Sequence, residues 1–251
     1  FEKNFNHTAA SQWMSENWHK SFIIGAIYLI VVFGIKHFMK ERRPYHLRAP
    51  LILWSFSLTL FSGIAARRLW KQLTFLLLTK GLKQAVCSRS FYVHPISKLW
   101  VYLFVLSKAA ELGDTVFIVL QKKKLTFIHW YHHLVTLLST WFTCKSMVPG
   151  LVWIAALNYS IHFLTYGYYT VTAMGIRVPT SIAMTVTTLQ MVQLTAFVII
   201  NVLILVWKSN TCYAPWPEWF VTSFFYVSLL ALFCNFFSKT YLSSTWKSKG
   251  E

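Results

Sequence analysis

The chain has 251 residues, of which 56% are hydrophobic and only 12% are charged. A soluble domain is roughly a quarter charged, so this composition excludes an ordinary soluble domain and a disordered chain. Lys and Arg number 24 against 7 Asp and Glu, but the basic residues lie between apolar runs, which favours anchoring in a lipid bilayer over binding to nucleic acid.

Long apolar runs predict an all-α integral membrane protein, a single domain of seven transmembrane helices over residues 1–251. The runs are 21–38, 51–66 with an extension towards 78, 98–120, 125–144, 151–170, 181–207 and 218–238. All seven Pro residues fall between these runs, as expected because Pro breaks helices. The longest predicted connection is the partly apolar stretch 67–97.

Two short signals orient the predicted helices, with the N-terminus in the lumen of the endoplasmic reticulum and the C-terminus in the cytosol. Asn6-His7-Thr8 is a glycosylation sequon, which has meaning only on the lumenal side. Lys247 and Lys249 form a tail similar to a dilysine retrieval signal. The Lys and Arg residues are divided almost evenly between the two sides and favour this orientation only when the stretch 67–97 is left out. We therefore predict a multi-pass protein of the endoplasmic reticulum membrane that is glycosylated at Asn6.

This orientation places Cys87 and Cys212 in two different lumenal loops, where a disulfide persists. The sequence therefore predicts a Cys87–Cys212 bridge. Two unpaired loop cysteines are the alternative, because connectivity does not follow from sequence.

Polar residues gather at one depth of four predicted helices. His129, His132 and His133 follow the spacing i, i+3, i+4 and share one helix face. Ionisable groups inside a membrane are costly and usually functional. At a rise of 1.5 Å per residue, groups on all four helices lie roughly 9–15 Å from the cytosolic helix ends. These groups are His132, Glu111, Asp114, His162, Thr188 and Gln190. We predict a polar chamber in the cytosolic half of the bundle.

Two chemistries fit such a chamber. Imidazole suits Zn and Fe, but four intramembrane histidines are too few for a membrane di-iron desaturase. Their spacing matches no closed Zn pattern either, so no metal and no cofactor are expected. A Zn site that includes His162 or Asp114, and a desaturase or hydroxylase, stay open as alternatives. In the second chemistry, acyl transfer, histidine serves as nucleophile and base, and Glu111 or Asp114 holds the ring tautomer. A seven-helix receptor and a proton-coupled transporter are the non-enzymatic alternatives.

Four motifs in order resemble those of the very-long-chain fatty acid elongases, and the resemblance covers essentially the whole chain. The motifs are Lys108 to Thr115, the box His129 to His133, Asn158 to Tyr169, and Thr188 to Gln193. The resemblance implies condensation of acyl-CoA with malonyl-CoA to 3-oxoacyl-CoA, with helices two to seven forming a six-helix barrel around an acyl tunnel and helix one outside. The His-Trp-Tyr-His-His form of the box and the opening Phe1 to Phe5 look most like the branch that extends palmitate-range chains. Thr165 stands where the family usually has Met.

On this resemblance we predict that His132 attacks the acyl-CoA thioester to give an acyl-imidazole. The rival within the family is direct condensation, in which His132 acts only as a base. His162 is predicted to assist proton transfer or to stabilise an oxyanion. Glu111 and Asp114 orient the imidazoles, and His129 and His133 complete the network.

Substrate contacts are predicted for a second group of residues: Lys108, Thr115, Asn158, Tyr166, Tyr168, Tyr169, Gln190, Gln193, Lys122, Lys123 and Lys124. For Lys108 a buried ion pair with Glu111 is favoured over a substrate contact, and Asn158 and Gln193 fit hydrogen bonds between helices. The three consecutive lysines fit equally a topological anchor. The expected partners are acyl-CoA, malonyl-CoA, the lipid bilayer and the reductases and dehydratase of the elongation cycle, without nucleic acid. A homodimer is left open.

Overall fold

The computed structural model describes residues 2–87, 94–208 and 212–242, and it is built from helices. The α-helices are α1 (His7–Asn17), α2 (Lys20–Phe38), α3 (Arg48–Cys87), α4 (Pro95–Ala110), α5 (Gly113–Leu120), α6 (Phe127–Cys144), α7 (Leu151–Ala173), α8 (Thr180–Val206) and α9 (Trp216–Phe237). A 3-10 turn, Met39–Glu41, follows α2, and a π-helical turn, Ser238–Leu242, follows α9. No strand occurs in these described ranges, so the all-α prediction is confirmed.

Four segments in the described part of the chain are long and apolar enough to cross a membrane. They are Lys20–Glu41, Arg48–Cys87, Thr180–Val206 and Trp216–Leu242. Helices α6 and α7 have 18 and 23 residues, but their histidines and hydroxyl side chains lower their mean hydropathy. The chain is therefore a multi-pass membrane protein in which the most polar helices do not stand out as spans.

Helix α3 is far longer than the predicted second span. It continues to Cys87, with one left-handed residue at Gly81 (φ 75°), so the connection predicted over 67–97 is wrong for most of its length. Charged residues interrupt the apolar run because this part of α3 is amphipathic. Arg67 and Lys71 are exposed, whereas Leu69 and Leu73 are fully buried.

The predicted third span is divided into α4 and α5 by a turn at Glu111 and Leu112. The Glu111 N–H still donates to the Ser107 carbonyl at 2.8 Å, but the Asp114 N–H bonds to the Glu111 carbonyl at 3.1 Å. That i to i−3 bond is the tighter 3-10 geometry. The turn lies at the acidic motif and sends its two carboxylates in different directions, as described below.

Helix α1 was not predicted from the sequence. The Asn6 side-chain oxygen caps it by accepting from the Ala9 N–H at 3.1 Å, which is a preferred N-cap arrangement. Met14 is buried, and the Trp13 ring lies 6.0 Å from that of Trp141 on α6. Asn6 is exposed, and its glycosylation stays a prediction.

A disulfide joins the end of α3 to the segment before α9. The Cα atoms of Cys87 and Cys212 are 4.5 Å apart, so the predicted pairing is confirmed. The Gly150 N–H donates to the Val86 carbonyl at 3.0 Å, which adds the start of α7 to this end of the bundle. Lys247 and Lys249, the residues of the predicted retrieval signal, lie outside the described residues.

Candidate active site

A cavity of about 330 Å³ lies at the other end of the bundle, where α6 and α8 begin and α7 and α9 end. Side chains from α5 to α9 line it. They include Asp114, His129, His132, His133, His162, Gln190 and Phe233. The polar chamber predicted from helix depths therefore exists in the structure, and α9 adds an apolar wall that was not foreseen.

His132 is the residue of this wall that has a buried polar atom without a partner in the described ranges. Its Nδ1 atom is buried and has no hydrogen-bond partner among the described residues. The ring centroid lies 5.5 Å from that of His133 and 6.0 Å from that of Phe233. A buried polar atom without a partner costs free energy and calls for an explanation in a native structure. A reaction or a hydrogen bond between this nitrogen and a bound molecule would explain why it has no partner in the protein.

Asp114 is held by two donors from other helices. Trp54 Nε1 donates to Oδ1 at 2.6 Å, and the Tyr166 hydroxyl donates to Oδ2 at 2.7 Å. Oδ2 also lies 3.9 Å from Nε2 of His133. Gly113 makes room for the indole, because a Cβ there would be 2.9 Å from the Trp54 ring. The carboxylate is thus fixed beside the histidine cluster.

Glu111 is not among the residues that line the cavity. It accepts from Lys108 Nζ at 2.7 and 2.9 Å and from the Ser107 hydroxyl at 2.9 Å. Lys108 also donates to Asn158 Oδ1 at 2.8 Å. Nδ1 of His162 lies 3.6 Å from Glu111 Oε1, so the carboxylate sits behind this ring. Lys108 therefore forms the buried ion pair with Glu111 that was favoured for it.

Thr115 is fully buried and lies next to the histidine cluster. Its hydroxyl lies 3.1 Å from Nε2 of His129. The His129 and His133 rings are 4.6 Å apart between centroids, which links Thr115 to the ring facing Asp114. Neither Thr115 nor the Lys108–Asn158 pair is part of the cavity lining.

The predicted tyrosines Tyr166, Tyr168 and Tyr169 all line the cavity. Gln190 does so as well, and its amide donates to the Thr165 hydroxyl at 3.3 Å. Thr165, the position that departs from the family pattern, is therefore part of the wall.

Two predictions on α8 need correction or relocation. Thr188 is wrong as a member of the polar layer, because it is exposed and its hydroxyl donates to the Met184 carbonyl of its own helix at 2.9 Å. Thr187, one residue earlier, lines the cavity instead. Gln193 lies outside the lining, and its Oε1 is buried without a partner among the described residues.

The three lysines between α5 and α6 are exposed. Lys122 Nζ donates to the backbone carbonyls of Lys40 and Arg42 at 3.0 and 3.1 Å. These bonds tie the lysine loop to the turn after α2. Lys123 and Lys124 are not among the residues that line the cavity. Within the described ranges, no three His, Cys, Asp or Glu residues form a group suited to a metal ion.

Comparison with known proteins gives a consistent assignment. The family described as ELO: GNS1/SUR4 matches residues 13–249. Very long chain fatty acid elongase 6 of Mus musculus is 46% identical over 251 residues, covering 99% of this chain and 94% of that protein. The Homo sapiens elongase 6 is 45% identical over 249 residues, covering 99% and 94%. Very long chain fatty acid elongase 3 of Homo sapiens is 39% identical over 238 residues, covering 94% and 88%. The chain therefore belongs to the ELO family, GNS1/SUR4.

Proposed function

We propose that this chain is the condensing enzyme of fatty acid elongation, converting acyl-CoA and malonyl-CoA to 3-oxoacyl-CoA, CO2 and CoA. The relatives named as very long chain fatty acid elongases support it over nearly the whole length. The structural observation that carries it is the unpartnered Nδ1 of His132 in the histidine-lined cavity. The similarity to elongase 6 supports palmitate-range acyl chains as the substrate class.

In the first stage, an imidazole nitrogen of neutral His132 attacks the thioester carbonyl carbon of acyl-CoA. The C–N bond forms, the C–S bond breaks, and CoA leaves as a thiolate that takes the N–H proton of the acylated ring, so that a neutral acyl-imidazole remains. Malonyl-CoA then loses CO2 to give an enolate, whose carbon attacks the acyl group. The new C–C bond forms as the C–N bond breaks, and its electron pair returns to the ring nitrogen, which takes up a proton from water to restore neutral His132. Nucleophilic catalysis of this kind divides one difficult transfer into two easier steps.

The remaining residues position and transfer protons. The Glu111 carboxylate lies 3.6 Å from Nδ1 of His162. Its charge favours a proton on that nitrogen, which leaves Nε2 of His162 to move a proton in the cavity. Asp114, fixed by Trp54 and Tyr166, lies 3.9 Å from Nε2 of His133, where its charge favours a proton on that nitrogen. We assign Tyr168, Tyr169 and Gln190 to substrate contact because they line the same cavity.

The two ends of the bundle support the proposed orientation in the membrane. The disulfide end fits the oxidising lumen, and the cavity end fits the cytosol, where anionic CoA meets the exposed lysines of residues 122–124. We propose seven spans, with α4 and α5 counting as one and with α6 and α7 added to the four apolar segments. Helices α3 to α9 then form the barrel around the acyl tunnel and α2 lies outside it. The proposed location is the endoplasmic reticulum membrane, where reductases and a dehydratase complete the cycle.

The direct test incubates the purified protein with palmitoyl-CoA and malonyl-CoA. We expect the 3-oxoacyl-CoA two carbons longer than the substrate, with stoichiometric release of CO2, as measured by mass spectrometry and radiolabelled malonyl-CoA. Omission of malonyl-CoA is the matched control and should give no elongated product. An unsaturated or hydroxylated C16 product, or no product from folded protein, would contradict the proposal.

A second prediction concerns the contact between Gly113 and Trp54. Gly113→Ala adds a Cβ 2.9 Å from the indole ring, so Trp54 must move and its hydrogen bond to Asp114 is lost. A hydrogen bond to a charged group contributes about 1.5–3 kcal/mol, so we expect kcat to fall by about tenfold or more. Gly34→Ala is the control, because a Cβ at Gly34 meets nothing within 4 Å. Equal turnover numbers for the two variants would show that the contact with Trp54 is not needed.

A further inference from the structure

Helix α2 packs one face against the helix that carries the histidine box. One face of α2 is buried and bears Ser21, Gly25, Tyr28 and Val32, which follow helical spacing. Small residues at an interface let two helices approach closely inside a membrane. A Cβ at Gly25 would lie only 2.8 Å from the Leu134 side chain of α6. This approach sets the position of Tyr28, one turn further along the same face.

Tyr28 reaches the candidate active site through one intermediate. Its hydroxyl lies 2.8 Å from the Thr115 hydroxyl, which in turn lies 3.1 Å from Nε2 of His129. All three atoms belong to different helices, α2, α5 and α6. Tyr28 is 5% exposed and Thr115 is fully buried. Water therefore does not compete for these hydrogen bonds.

The hydrogen bonds from Tyr28 through Thr115 to His129 have a preferred direction of donation. A threonine hydroxyl has one proton and two lone pairs, so Thr115 can accept from one neighbour while it donates to the other. The phenol of Tyr28 is the more acidic hydroxyl and hence the better donor, which leaves the Thr115 proton for Nε2 of His129. His129 is then the tautomer that carries its proton on Nδ1.

His129 transmits this arrangement to the reacting groups. It lines the cavity, and its ring lies 4.6 Å from that of His133. His133 in turn has its Nε2 3.9 Å from Asp114 and its ring 5.5 Å from that of His132. A rotated or tautomerised His129 would therefore change the packing of the ring beside the nucleophile.

We propose that Tyr28 is a positioning residue for the condensation, acting through Thr115 to fix the tautomer and the orientation of His129. The inference rests on the proposed function. It makes α2 a working part of the catalytic unit, whereas its apolar composition and its place outside the barrel indicate only a membrane anchor.

The kinetic test compares three variants of the full-length protein. Thr115→Val removes the hydroxyl at nearly constant volume, and we expect kcat to fall about tenfold with an unchanged KM for acyl-CoA. Thr115→Ser keeps the hydroxyl and should retain most of the turnover. Tyr28→Phe should lower kcat less, and the double variant Tyr28→Phe/Thr115→Val should be no slower than Thr115→Val alone. If the effects of the two substitutions on kcat multiply in the double variant, or if Thr115→Ser is as slow as Thr115→Val, the proposal is wrong.

A second measurement does not depend on turnover. Nitrogen-15 NMR of histidine-labelled protein reports the tautomer of His129, whose signal is assigned by its loss in His129→Gln. We expect Thr115→Val and Tyr28→Phe both to shift the signal towards the Nε2–H tautomer, in the second case because the Thr115 hydroxyl is no longer oriented by Tyr28 and can rotate to accept from Nε2–H. An unchanged tautomer in Tyr28→Phe would overturn the proposal. Absence of 3-oxoacyl-CoA from the unmutated protein would instead overturn the proposed function, and the tautomer signal distinguishes the two failures.

Discussion

Replacing His132 with Ala should abolish formation of 3-oxoacyl-CoA, a loss of at least about a thousandfold, as is typical when a nucleophile is removed. The reason is geometric, because Nδ1 of His132 in the cavity wall is buried and has no hydrogen-bond partner in the described part of the chain. Its neighbours His133 and His162 face Asp114 and Glu111 at 3.9 and 3.6 Å. The measurement is the rate of product formation from palmitoyl-CoA and malonyl-CoA.

His46→Ala is the matched control, because His46 is exposed in the connection before α3. It should turn over like the unmutated protein. A His132→Ala variant that is folded and within tenfold of the unmutated rate would remove His132 from the chemistry.

The same variant separates the two mechanisms that the resemblance leaves open. Incubation of the unmutated protein with acyl-CoA alone should add the mass of one acyl group less one hydrogen, as measured on the intact protein. The adduct should be absent from His132→Ala. If an active preparation shows no adduct, the acyl-imidazole is wrong and His132 acts as a base in direct condensation.

Much of the site follows from residue spacing. The i, i+3, i+4 pattern predicts one face for His129, His132 and His133, and all three line the cavity. Depth along each helix likewise predicts that His162 and Asp114 reach the same layer. Depth does not report which face a residue occupies, since neighbours differ by about 100° around the axis. For this reason Thr188 was predicted where Thr187 is found.

Sequence could not reveal two of the aromatic residues that hydrogen-bond to the site, Trp54 and Tyr28. Trp54 and Tyr28 lie 60 and 87 residues away from their partners Asp114 and Thr115. Within an apolar helix such residues are indistinguishable from packing residues. The only local signal for Trp54 was Gly113, a residue without a side chain directly beside the carboxylate.

The predicted helix boundaries were wrong for a related reason. Hydropathy marks where a run of apolar residues ends, but α3 continues because one face remains buried after Arg67. The turn between α4 and α5 contains no Pro that would have signalled a break. That turn also separates two carboxylates that helix depth had treated as equivalent, since Asp114 lines the cavity while Glu111 lies behind it.

Glu111 should therefore have two roles, as the counter-ion of Lys108 and as the carboxylate beside His162. Substitutions at Lys108 separate the two. Both side chains are nearly fully buried, with a Lys108 to Glu111 distance of 2.7 Å. Removing one partner of a buried pair leaves an uncompensated charge, which destabilises by about 3–5 kcal/mol, whereas replacing both is often neutral. We expect Lys108→Met to lower the thermal unfolding temperature strongly, and Lys108→Met/Glu111→Gln to recover most of the loss.

The double variant should nevertheless remain slow, by about tenfold or more in kcat, because a neutral amide does not hold Nδ1 of His162 as a carboxylate does. Its restored unfolding temperature excludes misfolding as the cause. Thermal unfolding in detergent and kcat are measured on the same preparations, with the unmutated protein as reference. A double variant that recovers both stability and turnover would reduce Glu111 to a structural counter-ion of Lys108. One that recovers neither would show that the ion pair is required for the fold at the turn between α4 and α5.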